Sequence, residues 1–195
     1  MATQAVQETK ESPKQDFVLD MESIRKRARD HLSEGAVTEN YKGARETIVR
    51  LLNDSLATEL VCVLRYKRHQ YTSANLAGIA GYAVSKEFAQ HAVEEQAHAD
   101  KLAERIVQLG GEPDFDPNGL TGRSHAKYVA GNSLEEMITE DLIAERIAID
   151  VYGQAIRYIG EKDPTTRRLL EGILEQEEEH ADDMSDFLNR LKIKG

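Results

Sequence analysis

The sequence predicts an all-α fold: a four-helix bundle with one long crossover between the second and third helices, preceded by a short N-terminal helix. Three observations carry this reading. The 195 residues include 4 prolines and no tryptophan, and are rich in Ala, Leu, Glu, Arg and Gln, a mixture that favours helix over strand. Four long stretches repeat their apolar residues at helical spacing. The links between these stretches are unequal, two short and one long.

Residues 1–18 are polar and read as a flexible tail. Residues 19–40 read as a short helix and linker. Asp20 is a candidate cap, Ile24, Ala28 and Leu32 form a thin apolar stripe, and Gly35 follows the expected end near Ser33. Residues 41–195 read as the bundle. Its first helix is expected from about Lys42 to Ser73, with Ile48, Leu52, Leu56, Leu60, Val63 and Leu64 at helical spacing. The second is expected from Val84 to Leu109, stopped by Gly110 and Gly111. The third runs from Ser133 to Ile159, where Ser133 and Glu136 form a capping-box pattern. The fourth begins at Asp163-Pro164, a cap followed by proline at the first helical position, and reaches about Leu191. At ~1.5 Å per residue each helix is roughly 40 Å long. The short links, Ala74 to Gly81 and Gly160 to Asp163, make two antiparallel hairpins. The Gly- and Pro-rich stretch from Gly110 to Asn132 is long enough, at up to ~3.3 Å per residue, to travel the length of the bundle. Two hairpins joined by one crossover is the ferritin-like arrangement.

Charge and cysteine content narrow the function. The formal net charge of −10 attracts cations and repels phosphate backbones. The basic cluster Arg25, Lys26, Arg27 and Arg29 lies among more acidic than basic residues in the first 40, which argues against a DNA-binding tail. The single cysteine, Cys62, forms no intrachain disulfide and no CxxC metal module; it reads as a small core residue in a reducing, cytoplasmic compartment. The first 20 residues show no signal-peptide pattern, and no run approaches the ~20 apolar residues of a membrane span.

The chemistry lies mid-helix. Glu95-Gln96-Ala97-His98 falls on the second helix and Glu177-Glu178-Glu179-His180 on the fourth. The i, i+3 spacing puts each Glu and His on one face. Glu59 and Glu145 occupy the middle of the other two helices, and Leu52, Leu56 and Val63 bracket Glu59 on a core stripe. A carboxylate facing a core is costly unless something compensates its charge, and a metal ion does so. Tyr66 follows Glu59 by seven residues and Tyr152 follows Glu145 by seven, so the halves repeat and suggest a pseudo-twofold axis. The Glu-rich runs 94–95 and 175–179 are also what solvated helix faces look like. Two Glu-x-x-His motifs with two matched single glutamates, one set per helix, weigh against that reading. Hard carboxylates with borderline imidazoles suit iron or manganese, and this ligand set is the one found in di-iron and di-manganese carboxylate bundles.

The stretches Leu51 to Glu59, Glu95 to Glu104 and Glu177 to Asp182 resemble bacterioferritins, within a resemblance covering about residues 42–191. The resemblance implies a ferroxidase centre with two iron ions per subunit. Glu59 and His98 would hold one iron, Glu145 and His180 the other, and Glu95 and Glu177 would bridge. It also implies that Tyr66 lies beside the centre and that Asp141 orients a ligand histidine. Gln96 stands where haem-binding members carry methionine, so no haem is expected. The sequence ends at Gly195, short of the fifth helix of the family's largest shells, which favours a Dps-like dodecamer over a 24-mer. The implied activity is oxidation of Fe(II) by dioxygen or hydrogen peroxide, with storage of ferric mineral in a homo-oligomeric cage. A dimanganese catalase-like enzyme and a Dps-type DNA-protecting protein are the alternatives. His91 shares the face of Glu95 and His98 and reads as a packed or surface residue, with an auxiliary or entry ligand as the other possibility; Glu94 could face a cage interior. His31, His69 and His125 have no partner at ligand spacing.

Overall fold

The computed structural model describes residues 17–30, 32–76 and 78–192. Most of the expected N-terminal tail, and His31, lie outside these. Among the described residues all regular structure is helical: α1 (Met21–Arg27), a 3-10 turn (Leu32–Glu34), α2 (Arg45–Ser73), α3 (Ile79–Gln108), α4 (Leu120–Arg123), α5 (Leu134–Ile159) and α6 (Pro164–Lys192). None of these helices is long and apolar enough to cross a membrane.

Three expected caps act as the sequence suggests. Asp20 accepts from the Ser23 amide at 3.0 Å, and Ser133 Oγ accepts from the Glu136 amide at 3.1 Å. Asp163 accepts from the Thr166 amide at 2.9 Å. Asp163 does more than cap: it also receives Arg105 of α3 at 2.9 and 3.0 Å and the Tyr41 hydroxyl at 2.8 Å. It therefore ties the start of α6 to the end of α3 and to the segment entering α2. The N-terminal helix is shorter than its apolar stripe suggests, since none of its residues is buried and a single turn or two has no packing to extend it.

The second long helix starts five residues earlier than expected. Gly78, at φ 59°, makes the turn, and Gly81 lies inside α3. A Cβ on Gly81 would sit 1.6 Å from the Leu76 carbonyl oxygen and 2.6 Å from that of Ser73. The glycine serves a close approach between helix and corner rather than ending the link.

The hairpins α2–α3 and α5–α6 pack side by side. The crossover climbs α2, pinned at successive heights. Asn53 bonds the Glu112 carbonyl (3.1 Å) and the Asp114 amide (2.8 Å), and Thr58 meets His125 (3.0 Å). Higher up, Arg65 reaches the Lys127 carbonyl (3.3 Å) and His69 the Ala130 carbonyl (2.9 Å). Within the crossover the unanticipated α4 docks Leu120 against Ala57 and Val61. The main core is divided. One cluster holds Leu52, Leu56, Leu102, Ile106 and Ile173; the other holds Cys62, Phe88, Met137, Ile138 and Met184. The polar layer between them is the candidate site.

Candidate metal centre

The folded chain brings together all six residues singled out from the sequence. Glu59 comes from α2, Glu95 and His98 from α3, Glu145 from α5, and Glu177 and His180 from α6; each is at most 2% exposed. Two overlapping groups could each hold a metal ion: Glu59, Glu95, His98 and Glu177, and Glu95, Glu145, Glu177 and His180. In each, one donor atom per residue lies within 4.8 Å of the others. Glu95 and Glu177 belong to both.

The donor atoms have no other employment. Both carboxylate oxygens of Glu95 and of Glu177, Glu145 Oε2, and Nδ1 of His98 and His180 are buried without a hydrogen-bond partner. Such orphaned groups are rare in a protein interior. His98 Nδ1 lies 3.1 Å from Glu177, 3.4 Å from Glu95 and 3.5 Å from Glu59. His180 Nδ1 lies 3.7 Å from both Glu95 and Glu177. Donors ~2.1 Å from a common ion and ~90–109° apart are ~3.0–3.4 Å from one another. The separations match this range or slightly exceed it, so a small inward movement of the donors would close the coordination sphere.

The outer ring nitrogens fix the tautomers. His98 Nε2 donates to Gln176 Oε1 at 2.9 Å, and His180 Nε2 donates to Glu94 Oε2 at 2.9 Å. When the second ring proton leaves, each imidazole would thereby turn the lone pair of Nδ1 to the centre. The tyrosines cross over: Tyr66 of α2 donates its hydroxyl to Glu145 of α5, and Tyr152 of α5 donates to Glu59 of α2.

Four carboxyls in a dry layer cannot all stay ionised without cations. Burial, then repulsion from Glu95, raises Glu59 to about 8. Burial, then Glu95 and Glu177, raises Glu145 well above the carboxylate range. Burial alone would lower both histidines, but the surrounding carboxylates prevail and lift His180 to about 11 and His98 higher still. Without metal, the centre keeps itself neutral with protons.

Five placements were not legible in the sequence. Gln176 and Glu94, the residues immediately preceding the two motif glutamates, each orient the histidine of the opposite hairpin; the only signal was that both are polar acceptors at the same motif position. Glu94 is thus engaged with His180. Asp141 does not orient a ligand histidine. It lies one turn from Glu145 along α5, where Arg65 donates to it at 2.6 Å and His69 meets it at 2.8 Å. His69, which has no ligand-spaced partner in the sequence, is a buried clasp between Asp141 and the crossover. His91 is also fully buried, with its ring stacked on His180 at 4.0 Å between centroids.

Fold and site define a four-helix-bundle protein with a buried centre of four carboxyls and two imidazoles. The chain belongs to the ferritin-like family: the family model for the ferritin-like domain matches residues 49–193. It is 29% identical over 157 residues to the bacterioferritin of Desulfovibrio desulfuricans, covering 80% of this chain and 82% of that protein. The solved structure of that bacterioferritin, described for its diiron site, superposes with a TM-score of 0.67. The dodecameric thioferritin of Bacteroides fragilis, a bacterioferritin-related protein, is 28% identical with a TM-score of 0.74, over 78% of this chain and 90% of that one. Dps from Thermosynechococcus elongatus, 23% identical over 73% of this chain and 90% of its own, shares the fold with a TM-score of 0.68.

Proposed function

We propose that this chain is a ferroxidase and iron-storage protein that binds two Fe(II) ions in the central site and oxidises them. The observation that carries the proposal is the pair of overlapping donor groups sharing Glu95 and Glu177. One ion would take Glu59 and His98, the other Glu145 and His180, and the two shared carboxylates would bridge them. Each bound Fe(II) would give up one electron, with dioxygen or hydrogen peroxide as the acceptor. The protein residues position and neutralise. Four carboxylates balance the charge of two divalent ions, Gln176 and Glu94 hold the imidazoles in the ligating tautomer, and Tyr152 and Tyr66 steer Glu59 and Glu145 by hydrogen bonds. The absence of thiolates from the donor set favours a hard, oxygen-rich ion.

The chain is proposed to assemble as a homo-oligomeric cage, a dodecamer in preference to a 24-mer. Two findings support this: the dodecameric state of the Bacteroides relative, and the apolar exposure at the α2–α3 turn, where Tyr71 is 73%, Ile79 91% and Tyr82 59% exposed. No haem is proposed, because Gln96 offers no sulfur ligand and its amide donates to Asp100 at 2.9 Å.

The test is stopped-flow absorbance after adding Fe(II) to the metal-free protein, with metal analysis of the purified protein beside it. Two rapidly oxidised ions per subunit are expected in the wild type. The double substitution Glu95→Ala, His98→Ala is expected to abolish the rapid phase with the helical circular-dichroism signal retained. Wild-type oxidation by that variant would refute the assignment.

A further inference from the structure

The buried His91 belongs to none of the roles above, and its surroundings are unusual. Its Nδ1 lies 3.2 Å from the Tyr66 hydroxyl oxygen. The Tyr66 proton is committed to Glu145, so Nδ1 is the donor in this contact and carries the ring proton. Nε2 then presents a bare lone pair. It is buried with no hydrogen-bond partner, and it points between two carboxylates: Glu87 one turn earlier on α3 and Asp183 on α6, each 3.5 Å away. Three lone-pair donors facing one another repel unless a cation sits between them.

We infer that Glu87, His91 and Asp183 form a third divalent-cation site on the flank of the central pair. Nε2 of His91, one oxygen of Glu87 and one of Asp183 lie within 4.8 Å of one another. The two nitrogen–oxygen separations are long for hydrogen bonds, but they match the ~3.4 Å between ligands of a tetrahedral ion with ~2.1 Å bonds. One imidazole and two carboxylates leave the fourth position to water. This donor set suits zinc, cobalt, manganese or ferrous ions rather than calcium. The Asp183 side chain is 52% exposed and that of Glu87 26%, so the ion exchanges with solvent. On the inner side, the His91 ring lies flat against His180, which places the third ion next to the central pair. The inference adds to the proposed ferroxidase centre without depending on its redox activity.

The probe is Co(II), which binds without being oxidised. Crystals of the full-length protein equilibrated with Co(II) are expected to show an anomalous peak bonded to His91 Nε2 and flanked by Glu87 and Asp183. Equilibrium dialysis of the double variant Glu87→Gln, Asp183→Asn is expected to give one Co(II) fewer per subunit than the wild type. The variant changes neither the six central residues nor their direct hydrogen-bond partners. Absence of a peak at His91, or an unchanged stoichiometry in the variant, overturns the third site even when the central peaks are present. A peak at His91 with none at Glu95 and Glu177 keeps the third site and overturns the central reading instead.

Discussion

Loading the central site must expel protons, and the number follows from the structure. Without metal, Glu59 and Glu145 are held protonated at neutral pH by burial and by neighbouring carboxylates, while His98 and His180 are held as imidazolium by the carboxylates they face. Glu95 and Glu177 lie on the ionised side: burial and then repulsion from a neighbouring carboxylate oppose their charge, but hydrogen bonds from the two histidines, together with Glu59 for Glu95 and Glu145 for Glu177, more than offset it. The empty layer thus balances two carboxylates against two imidazolium groups. Two bound divalent ions require all four carboxylates ionised and both imidazoles neutral. One proton each leaves Glu59, Glu145, His98 and His180, four for two doubly charged cations, so the exchange is electroneutral in a layer that tolerates no net charge. Zn(II), which undergoes no redox step, isolates this exchange. Calorimetric titration at pH 7 in two buffers of different ionisation enthalpy, on the Glu87→Gln, Asp183→Asn variant so that only the central pair loads, counts the protons. About four per pair of ions is expected by this linkage, and the overall binding constant should steepen with pH accordingly. Glu59→Gln, Glu145→Gln should release about two fewer. Fewer than about two protons in the parent, or binding indifferent to pH, would refute the proton-held centre.

The same shifts make the metal-free protein less stable in alkali. Glu59 is raised from 4.5 to about 8 and His180 from 6.5 to about 11, so the folded state binds the extra protons and stability is lost as pH rises through those windows. Differential scanning calorimetry from pH 5 to 9 should show Tm falling without metal, and a Tm that rises with pH would contradict it. Gly81→Ala should lower stability by about 2 kcal/mol or more through overpacking, because its new Cβ meets the Leu76 carbonyl. Gly172→Ala, in α6 with open space around it, should raise stability by about 0.5–1 kcal/mol; urea titrations giving both variants the same sign would sink this contrast. Tyr152→Phe should weaken Co(II) binding about tenfold or more, since a hydrogen bond to a charged acceptor is worth ~1.5–3 kcal/mol, and an unchanged isotherm would mean that Tyr152 does not steer Glu59.

The site was more legible in the sequence than its supports, for a physical reason. Glu59, Glu95, Glu145 and Glu177 interrupt apolar stripes, and a carboxyl there is expensive enough that only a shared purpose explains four of them. Spacing along a helix fixes which side chains share a face, so the grouping followed from one-dimensional information. The caps at Ser133 and Asp163 were readable for the same local reason. What could not be read depends on the height at which one helix passes another. Asp141 shares a helix face with Glu145, yet its height on α5 delivers it to Arg65 and His69 instead of a ligand histidine. Gly81 looked like link material because a close approach to the Leu76 carbonyl exists only once the corner has formed. His91 has the spacing of an auxiliary ligand, but only Asp183, contributed from a different helix, turns that spacing into a cluster.

The pseudo-twofold axis holds at the centre and fails around it. Glu59 pairs with Glu145, Tyr66 with Tyr152, and Glu94 with Gln176, each partner reaching into the opposite hairpin. Moving 82 residues along the chain, the offset that carries Glu95 and His98 onto Glu177 and His180, turns Glu87 into Leu169 and His91 into Ile173. The reverse step turns Asp183 into Lys101. Ile173 is buried in the first apolar cluster and Leu169 packs against it, so this flank is sealed, while the His91 flank is polar and opens to solvent through Asp183. The histidines differ in the same sense. The outer N–H of His180 faces a carboxylate and that of His98 a neutral amide, and a charged acceptor makes the ligating nitrogen the stronger donor. Two chemically similar ligand sets are therefore held in unlike surroundings, with the carboxylate-backed imidazole on the side that cations can reach. A bundle assembled from two equivalent hairpins would lack that polarity. Here it arises from three substitutions on one flank, and the six central residues remain matched.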